Sequence, residues 1–173
     1  MKNFKLFLDL IRIKKPIGIM LLFWPCSWGL TLINDFSNGY LQYILYLIYF
    51  FLGATLMRSA GCIVNDILDR KYDILVERTK NRPIASGDIS VSLSLVYVII
   101  LCSLAFLILI QFNFTTILLG LASMPFAFSY PLMKRYTYWP QLFLGFTFNY
   151  GLIIAWSSIK PEFSYIPIIF YCG

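Results

Sequence analysis

The sequence contains no histidine and little charge: 13% of its 173 residues are Asp, Glu, Lys or Arg. Without imidazole there can be no Ser-His-Asp triad, no haem held through His and little of the usual zinc hydrolase chemistry. Its four cysteines, Cys26, Cys62, Cys102 and Cys172, are widely spaced and form no C-x-x-C pair. Neither a disulfide framework nor a zinc site is indicated. A Walker loop, a G-x-G-x-x-G fingerprint and a nucleophile elbow are missing, as are short repeats and low-complexity tails. Acids are few as well, eight against fourteen bases, for a formal net charge of +6. The bases sit in short segments between apolar runs, a pattern that belongs to membrane topology rather than to nucleic-acid binding.

What the sequence has in abundance is apolar surface. Hydrophobic residues make up 60% of the chain, and its mean hydropathy is +0.76. Several runs reach or approach the ~18 to 20 residues that cross a bilayer. They lack the alternation of barrel strands, so the expected fold is an all-α, multi-pass transmembrane bundle in contact with lipid. Residues 1–15 interleave Lys2, Lys5, Arg12, Lys14 and Lys15 with apolar side chains, and are expected to form an interfacial amphipathic helix closed by Pro16. The run from Ile17 to Ile33 is too long for a signal-peptide core and lacks a small-residue cleavage site, so it is read as a retained first span. Further spans are expected over about 40–64, 91–110, 114–133 and 140–158, with a sixth apolar segment beginning at Phe163. Pro125 and Pro131 are expected to kink or end the fourth span. Every Lys and Arg except Arg58 and Lys160 falls in the N-terminal segment or in the second and fourth connections. By the positive-inside rule these face the cytoplasm or, in a mitochondrial inner membrane, the matrix.

One polar stretch stands out against this background. The second span ends in Asn65-Asp66-Ile67-Leu68-Asp69-Arg70-Lys71-Tyr72-Asp73. On a helix, Asn65, Asp69 and Asp73 share one face, and Arg58 and Cys62 extend that stripe backwards. A carboxamide and carboxylates in this arrangement suit magnesium shared with a substrate phosphate, because that ion keeps waters and needs only one or two protein carboxylates. Arg58 lies inside an apolar run and is expected to face the protein interior or a wet cavity. Cys62 reads as a small packing residue, and the aromatic residues as packing or interface anchors. The residues alone leave room for another class, a small multi-pass transporter subunit in which Arg58 and Asp69 form a gating ion pair.

The stretch Arg58-Ser59-Ala60-Gly61-Cys62-x-x-Asn65-Asp66-x-x-Asp69-Arg70-x-x-Asp73, continued by Glu77-Arg78-Thr79-Lys80-Asn81-Arg82-Pro83 and Ser86-Gly87, closely resembles the first aspartate-rich signature of UbiA-type aromatic prenyltransferases. RIKKPIGIMLLFWP from Arg12 to Pro25, SYPLMKR from Ser129 to Arg135, and Pro140-Gln141 are similar to the 4-hydroxybenzoate polyprenyltransferase branch. The resemblance implies an intramembrane bundle of about nine helices that joins a polyprenyl diphosphate to 4-hydroxybenzoate, next to the phenol, in ubiquinone synthesis. It implies Mg2+ and diphosphate on Asn65, Asp69 and Asp73, supported by Asp66. Arg78 and Lys134 would contact diphosphate, with Tyr130 nearby. Arg58 would meet the benzoate carboxylate or a neighbouring acid, and Arg12 would line the same cavity. Diphosphate loss, attack by the ring and proton loss would follow in that order. The implied domain is 1–173, with 66–90 as a cytoplasmic catalytic loop, in a bacterial inner or mitochondrial inner membrane. No second D-x-x-x-D follows Arg135. The expectation is therefore an incomplete member with five spans and the start of a sixth, and a truncated, inactive pseudo-enzyme is the alternative reading.

Overall fold

The computed structural model describes residues 2–35, 40–136 and 138–172, except for the side chains of 2–4, 132, 134–136 and 140. Seven helices form among them: α1 (Lys2–Leu10), α2 (Ile17–Ile33), α3 (Leu41–Asp73), α4 (Val91–Leu109), α5 (Phe114–Tyr136), α6 (Pro140–Ile159) and α7 (Ile166–Cys172). The helices α3, α4, α5 and α6 are long and apolar enough to cross a membrane, while α2, at 17 residues, is a shorter apolar helix. These five correspond to the five expected spans, and α7 lies in the sixth apolar segment. The protein is a multi-pass integral membrane protein.

Because successive spans alternate in direction, the start of α2, the end of α3, the start of α4, the end of α5 and the start of α6 meet at one end of the bundle. The main packing partners are α2 with α6, α3 with α4, α5 with α6, and α2 with α3. Water contributes little to helix association in lipid, so close approach depends on small residues. Gly29 of α2 supplies one: a Cβ there would fall 2.5 Å from the Leu152 carbonyl oxygen and 3.2 Å from Ala155 Cβ on α6. At the end opposite the acids, Asn113 accepts from the Thr116 amide at the start of α5 (3.0 Å) and donates to the Ser157 and Ser158 carbonyls of α6 (2.7 and 3.1 Å). That one side chain caps a helix and ties it to its neighbour.

Three features depart from the sequence expectations. Of the two outcomes expected at Pro125 and Pro131, a kink or an end, the end does not occur: α5 runs through both, which lipid-embedded helices tolerate because neighbouring elements can satisfy the freed backbone groups. The segment 66–90 is not simply a loop. Residues 66–73 are the last turns of α3, and 74–90 is a chain of turns whose Ile84 and Ile89 are buried with Ala60, Ile63 and Leu101. Gly87, at φ 84°, takes the left-handed conformation that glycine allows without a Cβ penalty. Finally, α1 is more than a surface float, since Leu10 and Ile11 enter the same buried cluster.

Helix α3 has 33 residues, about 50 Å at 1.5 Å per residue, whereas the hydrocarbon layer is about 30 Å thick. Its excess length carries the polar stretch beyond the lipid without breaking the helix. If the Gly29 approach holds α2 against α6, Gly29→Leu should lower stability by about 1–3 kcal/mol, read as an earlier unfolding midpoint when detergent-solubilised protein is titrated with SDS and followed by circular dichroism.

Candidate active site

The last turns of α3 set an electrostatic problem. Carboxylates at Asp66, Asp69 and Asp73 crowd the helix C-terminus, where the backbone dipole is already negative. Arg70 and Lys71 in the final turn relieve part of it. The rest is met from outside the helix. Asp66, only 2% exposed, accepts from both Arg12 and Arg82, the latter at 3.1 Å. Arg82 uses the same Nη1 to reach Asp73 Oδ2 at 2.7 Å. A carboxylate this buried is costly unless paired and hydrogen-bonded, and here one arginine comes from each side of the chain. Arg12 itself sits at φ 55°, a left-handed conformation unusual outside glycine. Thr79, buried, donates its hydroxyl to the Asp73 carbonyl at 3.0 Å and so satisfies one of the open carbonyls at the end of α3.

Beside this network lies a polar cavity of about 530 Å³. Asn65, Asp69 and Asp73 line it together, as their four-residue spacing requires, and Arg12, Arg58, Arg78, Arg82 and Tyr130 complete its polar wall. Asp66 is not on that wall; it stands behind it, holding the arginines. The Lys134 side chain lies outside the described residues. Four arginines thus face two lining aspartates. Arg58 and Arg78 have no carboxylate partner among the described residues, so the cavity offers unneutralised positive charge to an anion. The described residues hold no Arg58–Asp69 ion pair, the contact on which the transporter reading was drawn. The physical reason is distance: eleven helical residues separate them by about 16 Å of axial rise.

Among the described residues no three His, Cys, Asp or Glu side chains stand close enough to ligate a metal on their own. Asn65, Asp69 and Asp73 form a partial set of hard oxygen donors, which an ion could complete only with water and ligand oxygens. That is the habit of magnesium.

A second cavity, of about 170 Å³, adjoins the first and is almost wholly apolar. Tyr49, Phe50, Met57, Phe106, Phe112 and Leu121 are among its lining residues, and Leu22, Met57, Ala127 and Thr147 line both spaces. Phe112 is set among Tyr46 and Phe50, with ring centroids 5.0 and 4.9 Å away.

Residues 21–173 match the family model described as the UbiA prenyltransferase family. The chain belongs to the UbiA family. It is 43% identical over 94% of its length to the mitochondrial 4-hydroxybenzoate polyprenyltransferase of Caenorhabditis elegans, and 49% identical over 89% of its length to that of Bos taurus. It spans 45% and 41% of those relatives, less than half of each. Among solved structures, a UbiA homolog from Archaeoglobus fulgidus bound to DMAPP and Mg2+ superposes with a TM-score of 0.71 at 20% identity, covering 96% of this chain and 57% of that one. A structure of digeranylgeranylglyceryl phosphate synthase gives 0.70 at 21% identity, covering 99% and 58%. These structural likenesses establish the UbiA fold.

Sequence reading missed two members of the site. Arg82 and Thr79 fall within the stretch that resembles the UbiA signature, but neither receives a role there, because a residue in a basic connection has no local signal that it turns back to Asp66 or Asp73. If Asp66 is the shared counter-ion, Asp66→Ala leaves two guanidiniums without it and should cost about 3 kcal/mol or more, measured as a lower SDS or thermal unfolding midpoint in the same detergent.

Proposed function

We propose that the protein transfers a polyprenyl group from polyprenyl diphosphate to the ring of 4-hydroxybenzoate, next to the phenol, a reaction of ubiquinone synthesis. The observation that carries this reading is the shared wall between the two cavities. Leu22, Met57, Ala127 and Thr147 face a charged chamber on one side and a greasy one on the other. A ligand with an anionic head and a long hydrocarbon tail matches both at once. The names of the relatives support the choice of ring substrate.

Asn65, Asp69 and Asp73 would hold Mg2+ together with diphosphate oxygens. When bound, the ion supplies charge neutralisation to a departing diphosphate. The chain's own residues do the rest. Arg78 and Arg82 hold the diphosphate oxygens by charge-assisted hydrogen bonds; Lys134 joins them in this reading, with Tyr130 nearby. Arg58, unpaired and facing the cavity, takes the benzoate carboxylate. The apolar chamber receives the tail and keeps water away from the allylic carbon. The C–O bond to diphosphate breaks and the electron pair leaves with the diphosphate. The ring carbon beside the phenol then bonds to the allylic carbon, and the ring proton is released. The basic connections and the acid-bearing end of α3 face the cytoplasm or the mitochondrial matrix, as their charge requires.

Protein reconstituted in lipid, given Mg2+, an allylic polyprenyl diphosphate and labelled 4-hydroxybenzoate, is expected to yield a prenylated acid that partitions into organic solvent. No labelled product at any magnesium concentration rejects the activity for this chain. Asp69→Asn should reduce turnover by about 100-fold or more while helicity by circular dichroism and gel-filtration behaviour stay unchanged. Normal magnesium-dependent turnover in that variant would remove the metal from Asp69.

A further inference from the structure

The start of α2 bears on Arg58 in a way the motif does not show. Gly18 lies in the first turn of α2 and lines the polar cavity with Arg58. A Cβ on Gly18 would fall 2.8 Å from Arg58 Nη2 and 2.9 Å from Arg58 Cζ, and closer still to Nε. The contacts are all with the guanidinium, the far end of a flexible side chain, so a Cβ here would displace that head and leave the backbone in place. Arg58 extends from the middle of α3, where a charged side chain is tolerated only in a wet or protein-lined space. It has no carboxylate partner among the described residues to hold it. What the fold gives its head is room: the guanidinium lies against a stretch of α2 backbone that has no side chain.

We propose that Gly18 is a positioning residue for Arg58, the missing side chain at the start of α2 leaving the slot that aims the guanidinium at the carboxylate of the ring substrate. This deepens, and rests on, the assignment of Arg58 to that carboxylate. An alanine at 18 is a better helix former than glycine, so the substitution harms the slot without harming α2. It pushes the guanidinium away from the α2 backbone and out of line with the carboxylate. Selectivity for an anionic ring acid over a neutral one of the same shape should fall with it.

The test compares binding of 4-hydroxybenzoate and of 4-hydroxybenzamide by titration calorimetry on the whole protein in lipid nanodiscs, beside turnover. Wild type should prefer the acid. Gly18→Ala should weaken acid binding by about tenfold or more, the usual scale for a lost charge-assisted hydrogen bond. Binding of the amide and the KM for polyprenyl diphosphate should change less than about twofold. Arg58→Gln should also lose the preference, and adding Gly18→Ala to it should cost nothing further. If Gly18→Ala lowers the melting temperature, Arg58→Gln should restore it, since the clash is with the guanidinium. An unchanged acid preference in Gly18→Ala, an equal further loss in the Arg58→Gln background, or a stability defect that persists there overturns the proposal. Wild-type protein that binds acid and amide alike also overturns it. Preferential acid binding without prenylated product would instead reject the transferase reading while leaving the Gly18 comparison valid.

Discussion

The site depends on one buried carboxylate. Asp66 is nearly inaccessible, and a charge so placed must be matched by opposite charge and hydrogen bonds or it opposes folding. It is matched by two arginines that arrive from opposite directions in sequence, Arg12 from before α2 and Arg82 from the turns after α3. Three segments that already share a buried apolar cluster are thereby tied by a polar anchor as well. Arg82 carries the constraint onward to Asp73, and Thr79 carries it to the Asp73 backbone. The turns after α3 are consequently held over the cavity mouth, with Ile84 and Ile89 buried as apolar footing.

That anchor explains how a helix can end in acids at all. The last turns of α3 put carboxylates where the macrodipole is least welcoming, and they lie past the lipid only because the helix is longer than the bilayer is thick. Local pairs with Arg70 and Lys71 could not orient Asp69 and Asp73 toward a common space. Fixing Asp66 one turn earlier does, because residues three and four apart cannot turn independently on a rigid helix. The oxygens that line the cavity are thus aimed by an oxygen that does not.

The sequence displayed what is periodic and concealed what is not. Spans declare themselves by composition, and Asn65, Asp69 and Asp73 by a spacing that any helix converts into a shared face. The UbiA resemblance was legible for the same reason, since its signature lies along one helix and the turns directly after it. Long-range contacts leave no such trace. Nothing near Arg82 indicates that it reaches Asp66, and nothing near Gly18 shows that a guanidinium lies against it forty residues later in the chain. Pro125 and Pro131 left two outcomes open, a kink or an end, and the helix does not end there, because neighbouring helices can satisfy the backbone groups that proline frees. The burial of Ile84 and Ile89 was hidden by the hydrophilic residues around them, which set the character of the segment although these apolar side chains set its position.

The adjacency of the two cavities follows from the helix arrangement and not from any one motif. Met57 and Arg58 are consecutive on α3, so a step of about 100° around the helix separates a residue shared with the apolar chamber from a charge in the polar one. Leu22 on α2 and Thr147 on α6 face the same boundary from across the bundle. A charged chamber next to lipid would normally fill with water, and in the proposed reaction water beside the allylic carbon would compete with the ring as a nucleophile. Placing the boundary on side chains that belong to both spaces lets a single amphiphilic ligand fill them together. On the proposed reading the tail of that ligand would exclude water from the place where its head is held, and the charge that binds the head need not be dry until the ligand arrives.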